Sequence, residues 1–185
     1  MSESAEVNSQ VVWITGLPGS GKSTLAGALV DRLRDQGQDA IQLDGDRLRE
    51  ALGPVAGGYD AASRKKLALT YARLARMLAT ECQGRIVVVA TVSGFDEVRA
   101  WNRESLPGYI EIYLKTSEAR RIEQQKDDLY RRNQSGELEQ LVGVDVPYEA
   151  PQTPDLVLGD AVEGSADQGD ELDDWIGRIQ VLLEG

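Results

Sequence analysis

Residues 16–24 read GLPGSGKST and directly follow the apolar run VVWIT at residues 11–15. The first stretch fits the pattern G-x-x-x-x-G-K-[ST], in which glycines let successive backbone N–H groups point at phosphate oxygens. Behind it, Leu25, Leu29 and Leu33 recur at helical spacing, so a strand, the loop and a helix follow in the required order. The stretch therefore predicts a phosphate-binding loop for a nucleoside triphosphate; a Gly-rich turn that fits the pattern by chance is the alternative.

The residue types in this loop suit the chemistry of a triphosphate. Lys22 can reach the β- and γ-phosphates, and Ser23 can place its hydroxyl on Mg²⁺. The helix that follows adds the positive end of its dipole. We therefore expect ATP and Mg²⁺ as cofactors, with Ser23 as a metal ligand. The predicted nucleotide-binding residues of the loop are Gly16, Gly19, Ser20, Gly21, Lys22, Ser23 and Thr24.

Strand and helix patterns alternate along the rest of the chain, which predicts an α/β fold: a P-loop NTPase-type parallel sheet flanked by helices. Gly37 is predicted to end the first helix, and a Gly-rich loop is predicted over residues 53–59. The predicted strands are residues 11–15, 40–43, 85–91, 109–114 and 154–158. The predicted helices are residues 23–36, a short piece after 46, 61–82, 95–104, one that begins at Ser117, and a terminal one over 172–183.

Composition limits the classes of function. The net charge of −11 argues against general binding of nucleic acid, because phosphate backbones require clustered Lys and Arg. The single Cys82 excludes an internal disulfide framework, and the polar, acidic start MSESAEVNSQ resembles neither a signal nor a transit peptide. No apolar run approaches the roughly 20 residues that cross a bilayer. We expect a cytoplasmic protein with no nucleic-acid or membrane partner.

The chain contains no histidine, so a catalytic base must be a carboxylate or, less commonly, a Lys, Tyr or Cys. Residues 43–49, LDGDRLR, place Asp44 and Asp46 directly after the second predicted strand. Parallel sheets bind ligands at the carboxyl ends of their strands, the edge that also carries the phosphate loop. One carboxylate could accept a proton while the other holds Mg²⁺ or its waters, and Arg49 could clamp an anionic acceptor. The alternative is an Asx-type turn that caps a helix.

A basic cluster interrupts this acidic chain after the fourth predicted strand. It favours a mobile basic lid that closes over ATP and excludes water, whereas the alternative is a solvated helix face. The cluster consists of Lys115, Arg120, Arg121, Lys126, Arg131 and Arg132.

Together these stretches resemble the adenylylsulfate kinase (APS kinase) family over residues 11–160. Besides GLPGSGKST and LDGDRLR, the resemblance rests on Tyr59 with Arg64, on DLYRR at 128–132, and on GVDVPYEAP at 143–151. It implies an enzyme that transfers the γ-phosphate of MgATP to the 3′-hydroxyl of adenylyl sulfate. We therefore expect residues 11–160 to form a P-loop kinase domain. The polar start predicts a disordered tail over residues 1–10, and residues 161–185 are predicted as an acidic linker and C-terminal helix of the same domain.

The resemblance assigns roles to individual positions. Asp46 matches the catalytic base and acts with Lys22, and Arg131 lies in the lid that covers ATP. Asp44 is expected to support the metal with Ser23. The residues expected to hold the acceptor are Asp44, Arg49, Tyr59, Arg64 and Phe95.

The chain departs from the family pattern on the acceptor side. Leu67 and Leu69 stand where the family carries an Asn and an Arg, and residues 93–96 read SGFD in place of serine-proline-tyrosine-arginine. Leu141 replaces an aromatic residue, and Asp127 replaces a lysine of the lid. The sequence is also similar to divergent APS-kinase-like proteins found with capsular polysaccharide enzymes, of which one group phosphorylates a cytidine diphosphoramidate.

Three functions stay open at this point. The first is transfer to adenylyl sulfate or a close analogue, and the second is transfer to another nucleotide such as a cytidine diphosphoramidate. The third is a nucleotide-binding regulatory protein without catalysis, against which the carboxylates of Asp44 and Asp46 argue. We expect a small-molecule nucleotide acceptor as partner, and a homodimer is left open.

Overall fold

The computed structural model describes residues 9–117, 148–159 and 168–185. The strands are β1 (Gln10–Thr15), β2 (Ala40–Asp44), β3 (Ile86–Ala90), β4 (Tyr109–Lys115) and β5 (Leu156–Gly159). The helices are α1 (Lys22–Asp35), α2 (Gly45–Leu52), α3 (Ala61–Glu81), α4 (Asp96–Ser105) and α5 (Gln168–Glu184), and Gly53–Ala56 forms a 3-10 turn. The predicted basic cluster from Arg120 to Arg132, including Arg131, and the positions Asp127 and Leu141 lie outside the described residues.

The described strands form one five-stranded sheet in the order β2-β3-β1-β4-β5, and every neighbouring pair is parallel. This confirms the predicted fold class. The central strand β1 pairs with β3 and β4, and the residues of β3 are all buried, as the continuous apolar run RIVVVAT predicts. Because all strands run in one direction, the residues that follow β1, β2 and β4 meet at the same edge of the sheet.

Each face of the sheet buries its own apolar core. On one face, Val12 and Ile14 of β1 pack with Leu29 of α1 and with Trp175 and Ile179 of α5. On the other face the core lies between the sheet and the helices α3 and α4, around the fully buried side chain of Trp13. None of the helices in the described part of the chain is long and apolar enough to span a membrane.

Helix α1 ends just before Gly37, as the sequence predicts. Gly37 adopts φ +80°, the left-handed region that a side chain disfavours. Its N–H donates to Arg34 O at 2.9 Å, and the N–H of Gln38 donates to Leu33 O at 3.0 Å. This pair of bonds is a Schellman motif, which satisfies carbonyls at the helix end and turns the chain toward β2.

Most element bounds lie within one residue of the sequence prediction, and three regions differ more. The terminal helix begins at Gln168 rather than at residue 172. The region predicted as a Gly-rich loop over residues 53–59 begins with a 3-10 turn. The last strand begins at Leu156 rather than at residue 154. Just before it, Asp155 bonds to β4 through its side chain as well as its N–H: its carboxylate accepts from Glu111 N at 2.7 Å. The predicted domain bounds are not tested by the described residues and stay predictions.

Candidate active site

The phosphate loop between β1 and α1 has a backbone that requires glycine at three positions. Gly19 and Gly21 adopt φ of 74° and 89°, where any other residue would be strained. A Cβ at Gly16 would lie 2.6 Å from the carbonyl oxygen of Leu114 and 2.9 Å from Ser20 Oγ. The glycines of the motif therefore have steric causes in this fold.

Lys22 lies inside the curve of this loop. Its side chain is almost fully buried, and Nζ donates to Leu17 O at 2.8 Å and to Ser20 Oγ at 3.3 Å. The hydroxyl of Thr116, just beyond β4, donates to Ser20 O at 3.2 Å and ties the loop to the neighbouring strand end. A cation enclosed by a loop of backbone groups is a site for an anion such as a phosphate.

A recess of about 360 Å³ lies beside the loop at the carboxyl ends of β4 and β5. Val157 presents an apolar side chain there that is 46% exposed. The sequence analysis missed this recess because its walls come from two strands that are far apart in the chain. A larger recess of about 600 Å³ on α3 and α4 contains none of the predicted site residues. The residues lining the smaller recess are Lys115, Thr116, Ser117, Val157 and Gly159.

Asp44 connects the loop to α2, and both of its carboxylate oxygens are used. Oδ2 accepts from Ser23 Oγ at 2.5 Å, and Oδ1 accepts from the backbone N–H groups of Asp46 and Arg47 at 3.1 and 3.2 Å. Asp44 is thus the N-cap of α2, as the Asx-turn alternative proposed, and also the partner of Ser23, as the metal-site hypothesis requires. A hydroxyl and a carboxylate that face each other are oxygen donors of the kind that Mg²⁺ prefers.

Asp46 lies in the first turn of α2 and is exposed. Below it, Tyr71 of α3 donates its hydroxyl to Gly45 O at 2.9 Å, and burial raises the pKa of Tyr71 to about 12. Burial lowers the pKa of the Arg64 guanidinium, while the charge of Asp46 acts in the opposite direction. Asp46 is therefore within electrostatic reach of Arg64, one of the predicted acceptor residues.

Three of the predicted acceptor residues come together around one aromatic ring. The guanidinium carbon of Arg49 lies 4.4 Å from the centroid of Tyr59, and that of Arg64 lies 5.3 Å from it. Arg49 also donates to Gly57 O at 3.2 Å, and Arg64 Nε donates to Tyr59 O at 2.5 Å. Tyr59 remains 38% exposed, so an aromatic side chain flanked by two cations lies at the surface of a chain that is otherwise acidic.

The other acceptor-side positions are apolar in their surroundings. Phe95, at the N-cap of α4, is half-buried and packs against the core between the sheet and the helices α3 and α4. Leu67 is 6% exposed inside that core, and Leu69 packs against it. The role of Phe95 in acceptor binding is not tested by these contacts and stays a prediction.

Comparison with known proteins identifies relatives of this chain. The family model described as adenylylsulphate kinase matches residues 8–159. Among similar proteins, the cytidine diphosphoramidate kinase of Campylobacter jejuni is 37% identical over 165 residues, which is 89% of this chain and 94% of that protein. The adenylyl-sulfate kinase of Bacillus licheniformis is 37% identical over 158 residues, 84% of this chain and 79% of that one.

Solved structures give the same result. The Mycobacterium tuberculosis APS kinase in complex with AMPPNP and APS superposes with a TM-score of 0.79 at 30% identity, covering 96% of this chain and 99% of that one. These matches cover nearly the whole sequence, and the named relatives are all kinases. The chain therefore belongs to the adenylylsulphate kinase family and is a phosphotransferase of the nucleotide-kinase class.

Proposed function

We propose that this protein transfers the γ-phosphate of ATP, in the presence of Mg²⁺, to the 3′-hydroxyl of an anionic nucleotide acceptor, adenylyl sulfate or a close analogue. The observation that carries the proposal is the position of α2. Its cap, Asp44, bonds to Ser23 of the phosphate loop at 2.5 Å, and its first turn carries Asp46, whose charge acts on Arg64 beside Tyr59. One short helix thus joins a donor site to an acceptor site.

On the donor side, the loop would hold the triphosphate through its backbone N–H groups and Lys22. Ser23 and Asp44 would hold Mg²⁺, which when bound neutralises charge on the transferring phosphate. The adenosine would extend into the recess beside Thr116, because that recess opens next to the loop and offers the exposed apolar side chain of Val157.

On the acceptor side, Asp46 would act as the general base. The acceptor oxygen attacks the γ-phosphorus, its proton passes to the Asp46 carboxylate, the bond from the γ-phosphorus to the β–γ bridging oxygen breaks, and ADP leaves. A carboxylate in this role agrees with the absence of histidine from the chain. Holding the hydroxyl and the phosphate in line supplies most of the remaining rate enhancement.

Arg49, Tyr59 and Arg64 would orient the acceptor. The aromatic ring offers a face to a nucleobase, and the two guanidinium groups offer paired donors to a phosphate or sulfate. The charge of Arg49 already lowers the pKa of Arg64, so two cations are held close together here at an electrostatic cost. Binding of an anion between them would relieve this repulsion.

A cytidine diphosphoramidate is a second candidate acceptor. Leu67 and Leu69 pack in or against the apolar core, at the positions where the APS kinase resemblance expects an Asn and an Arg to hold adenylyl sulfate. A relative that covers 89% of this chain is a cytidine diphosphoramidate kinase. Loss of charge-assisted contacts typically costs about 2–5 kcal/mol of binding, which is enough to change the acceptor.

The test is a panel of acceptors with purified protein, ATP and Mg²⁺, in which ADP release and the mass of the product are measured. The panel contains adenylyl sulfate, cytidine diphosphoramidate, CDP and the 3′-deoxy form of each active acceptor. We expect acceptor-dependent ADP and a product with one added phosphate for one of the first two, and none for its 3′-deoxy form. Absence of acceptor-dependent ADP throughout the panel would overturn the proposal, and phosphorylation of a 3′-deoxy acceptor would overturn the assigned hydroxyl.

A further inference from the structure

The described end of the GVDVPYEAP stretch forms a strap, Tyr148 to Pro151, that crosses between the two halves of the site. It contacts the end of β1, where the phosphate loop begins, and the turn of residues 93–96, which contains Phe95. No role in the proposed reaction has been given to any of its residues so far. Its contacts nevertheless join the donor side to the acceptor side directly.

Tyr148 makes the contact with the donor side. Its hydroxyl lies 3.2 Å from Thr15 Oγ1, and Thr15 donates its own proton to Val92 O at 3.1 Å, so Tyr148 is the donor in the first bond. Burial raises the pKa of Tyr148 to about 12, so the phenol keeps this proton at neutral pH. Its ring also stacks on Tyr113 of β4, with centroids 6.3 Å apart and an interplanar angle of 26°.

Gly94 makes room for the same ring. A Cβ at Gly94 would overlap Tyr148 Cδ2 and would lie 2.7 Å from Cε2, closer than a real Cβ approaches another atom. The ring is packed on three sides, by Tyr113, by Thr15 and by the backbone of Gly94. The glycine of the SGFD turn is therefore explained by the tyrosine of the strap, although the two are far apart in sequence.

Glu149 fixes the rest of the turn. Its N–H donates to Gly94 O at 3.3 Å, and its carboxylate accepts from Asp96 N at 2.7 Å. Its carbonyl oxygen accepts from Arg99 at 2.8 Å, and the same guanidinium pairs with Asp96 at 2.5 Å. Arg99 is 6% exposed whereas the Asp96 side chain is 64% exposed, so the guanidinium is buried and anchors a network whose carboxylates lie at the surface.

We propose that Tyr148 is a positioning residue for phosphoryl transfer, which fixes the distance between the phosphate loop at Thr15 and the acceptor-side turn at Gly94. The kinetic test of this positioning role rests on the proposed function. None of the residues of the strap belongs to the proposed phosphate loop or lines the recess proposed for the adenosine, so we expect ATP affinity to be independent of the strap. The alignment of donor and acceptor, by contrast, depends on the strap. A misplacement of about 1 Å can cost up to about 100-fold in rate.

The first experiment compares Tyr148→Phe with a control, Tyr113→Phe. The control removes a hydroxyl from the neighbouring ring and keeps the two rings stacked. Loss of the hydroxyl at Tyr148 should lower kcat by about 3- to 10-fold, the range for one buried hydrogen bond. The Kd of a non-hydrolysable ATP analogue and the acceptor KM should not change, and Tyr113→Phe should leave kcat as in the wild type. An unchanged kcat in folded Tyr148→Phe protein, or an equal loss in both variants, would overturn the proposal.

The second experiment tests the coupling between glycine and ring. Gly94→Ala should lower kcat by about 10- to 100-fold, because the added methyl displaces the ring. In a Tyr148→Leu background the same change should cost less than about 3-fold, because the overlapping ring atoms are gone. Gly177→Ala on α5, where an added Cβ meets nothing within 4 Å, is the matched control. An equal cost of Gly94→Ala in both backgrounds would contradict the proposal.

A third measurement separates this inference from the proposed function. If the wild type phosphorylates no acceptor, the proposed function fails while the positioning role can still be read from backbone hydrogen exchange. Gly94→Ala should then accelerate exchange both at residues 94–99 and at residues 16–21, since the strap links the two. Faster exchange at residues 94–99 alone would show that the strap does not hold the loop and would overturn the inference.

Discussion

The proposed donor half and the proposed acceptor half of this site are built in different ways. The proposed donor half is one contiguous stretch, residues 16–24, whose shape is set by backbone geometry and glycines. The acceptor half combines side chains from α2, the segment before α3 and α3 itself, and its central ring, Tyr59, is 38% exposed. A backbone site tolerates little change in sequence, whereas a side-chain site can be altered one residue at a time.

This contrast matches the distribution of departures from the family pattern. All of them fall among the residues predicted to form the acceptor side or the lid, and the predicted phosphate loop has none. Leu67 shows how such a change is accommodated: an apolar residue at this place adds to the core under α3. The same fold can therefore keep its phosphate donor while its acceptor changes, and substitutions in the two halves should have separable effects.

The largest effect is expected for Lys22→Ala. Its ammonium lies inside the phosphate loop, and no other cation of the loop can replace it. We expect kcat to fall by about 1,000-fold or more, since preorganised charge at the phosphates is the main source of stabilisation in the transition state. Steady-state ADP release with the active acceptor measures this. Lys66→Ala, an exposed lysine on α3, is the control and should leave kcat unchanged; comparable losses in both would argue against a specific role.

Asp46→Asn should lower kcat by about 100- to 10,000-fold, because the amide cannot accept the acceptor proton. The Kd for an ATP analogue should stay near that of the wild type, since Asp46 belongs to α2 and not to the proposed phosphate loop. Turnover and equilibrium binding, measured on the same preparation, separate the two quantities. Full turnover of Asp46→Asn would show that the base is another residue.

Asp44→Asn tests the proposed metal role of Asp44 separately from its role as a helix cap. Asparagine caps helices as well as aspartate does, so α2 should remain folded. The loss of charge beside Ser23 should instead raise the Mg²⁺ concentration that gives half-maximal activity. A variant with an unaltered Mg²⁺ requirement would argue against Asp44 as part of the metal site.

Arg64→Ala should act on the acceptor half alone. We expect the acceptor KM to rise by about 10- to 100-fold, as for the loss of one hydrogen bond to a charged group, with the KM for ATP unchanged. Arg76→Ala, an exposed arginine further along α3, is the control. A parallel rise in the KM for ATP would mean that the two halves are not separable at this residue.

The smallest effect is expected for Tyr71→Phe, which removes the hydrogen bond to Gly45 O below α2. At neutral pH the free energy of unfolding should fall by about 1 kcal/mol. The folded-state pKa of about 12 is above the unfolded value of 10.0, so the folded state retains the proton in the window between them. Wild-type stability relative to the variant should therefore decrease as pH rises from 10 toward 12. Urea unfolding at pH 7 and pH 11 measures the difference in free energy of unfolding between the wild type and Tyr71→Phe. An equal difference at both pH values would contradict the raised pKa of Tyr71.

How much the sequence predicts depends on how local the feature is. The loop, the helix after it and the end at Gly37 depend on residues within a few positions, and the structure has each of them in the predicted place. For Asp44, sequence reasoning offered a metal site or a helix cap as alternatives. One carboxylate oxygen caps α2 and the other accepts from Ser23, while the metal role stays a prediction.

Features that depend on distant residues could not be predicted. The strand YIEIYL contains Glu111, which is only 2% exposed in the sheet, and burial raises the pKa of its carboxyl. It is tolerated there because Arg103 of α4 reaches it at 3.0 Å, a contact that no local pattern reveals. The fit of Tyr148 on Gly94 is of the same kind, since only the fold brings the two together.

The contact between Glu149 and α4 has a consequence for the order of folding. Helix α4 begins without a side-chain cap from its own N-cap residue, and the carboxylate on its first N–H group comes from a residue 53 positions later in the chain. Such a contact requires the closure of a long loop, which slows its formation relative to local turns. We therefore expect the first turn of α4 to become protected late in refolding, and during synthesis only after residue 149 has left the ribosome.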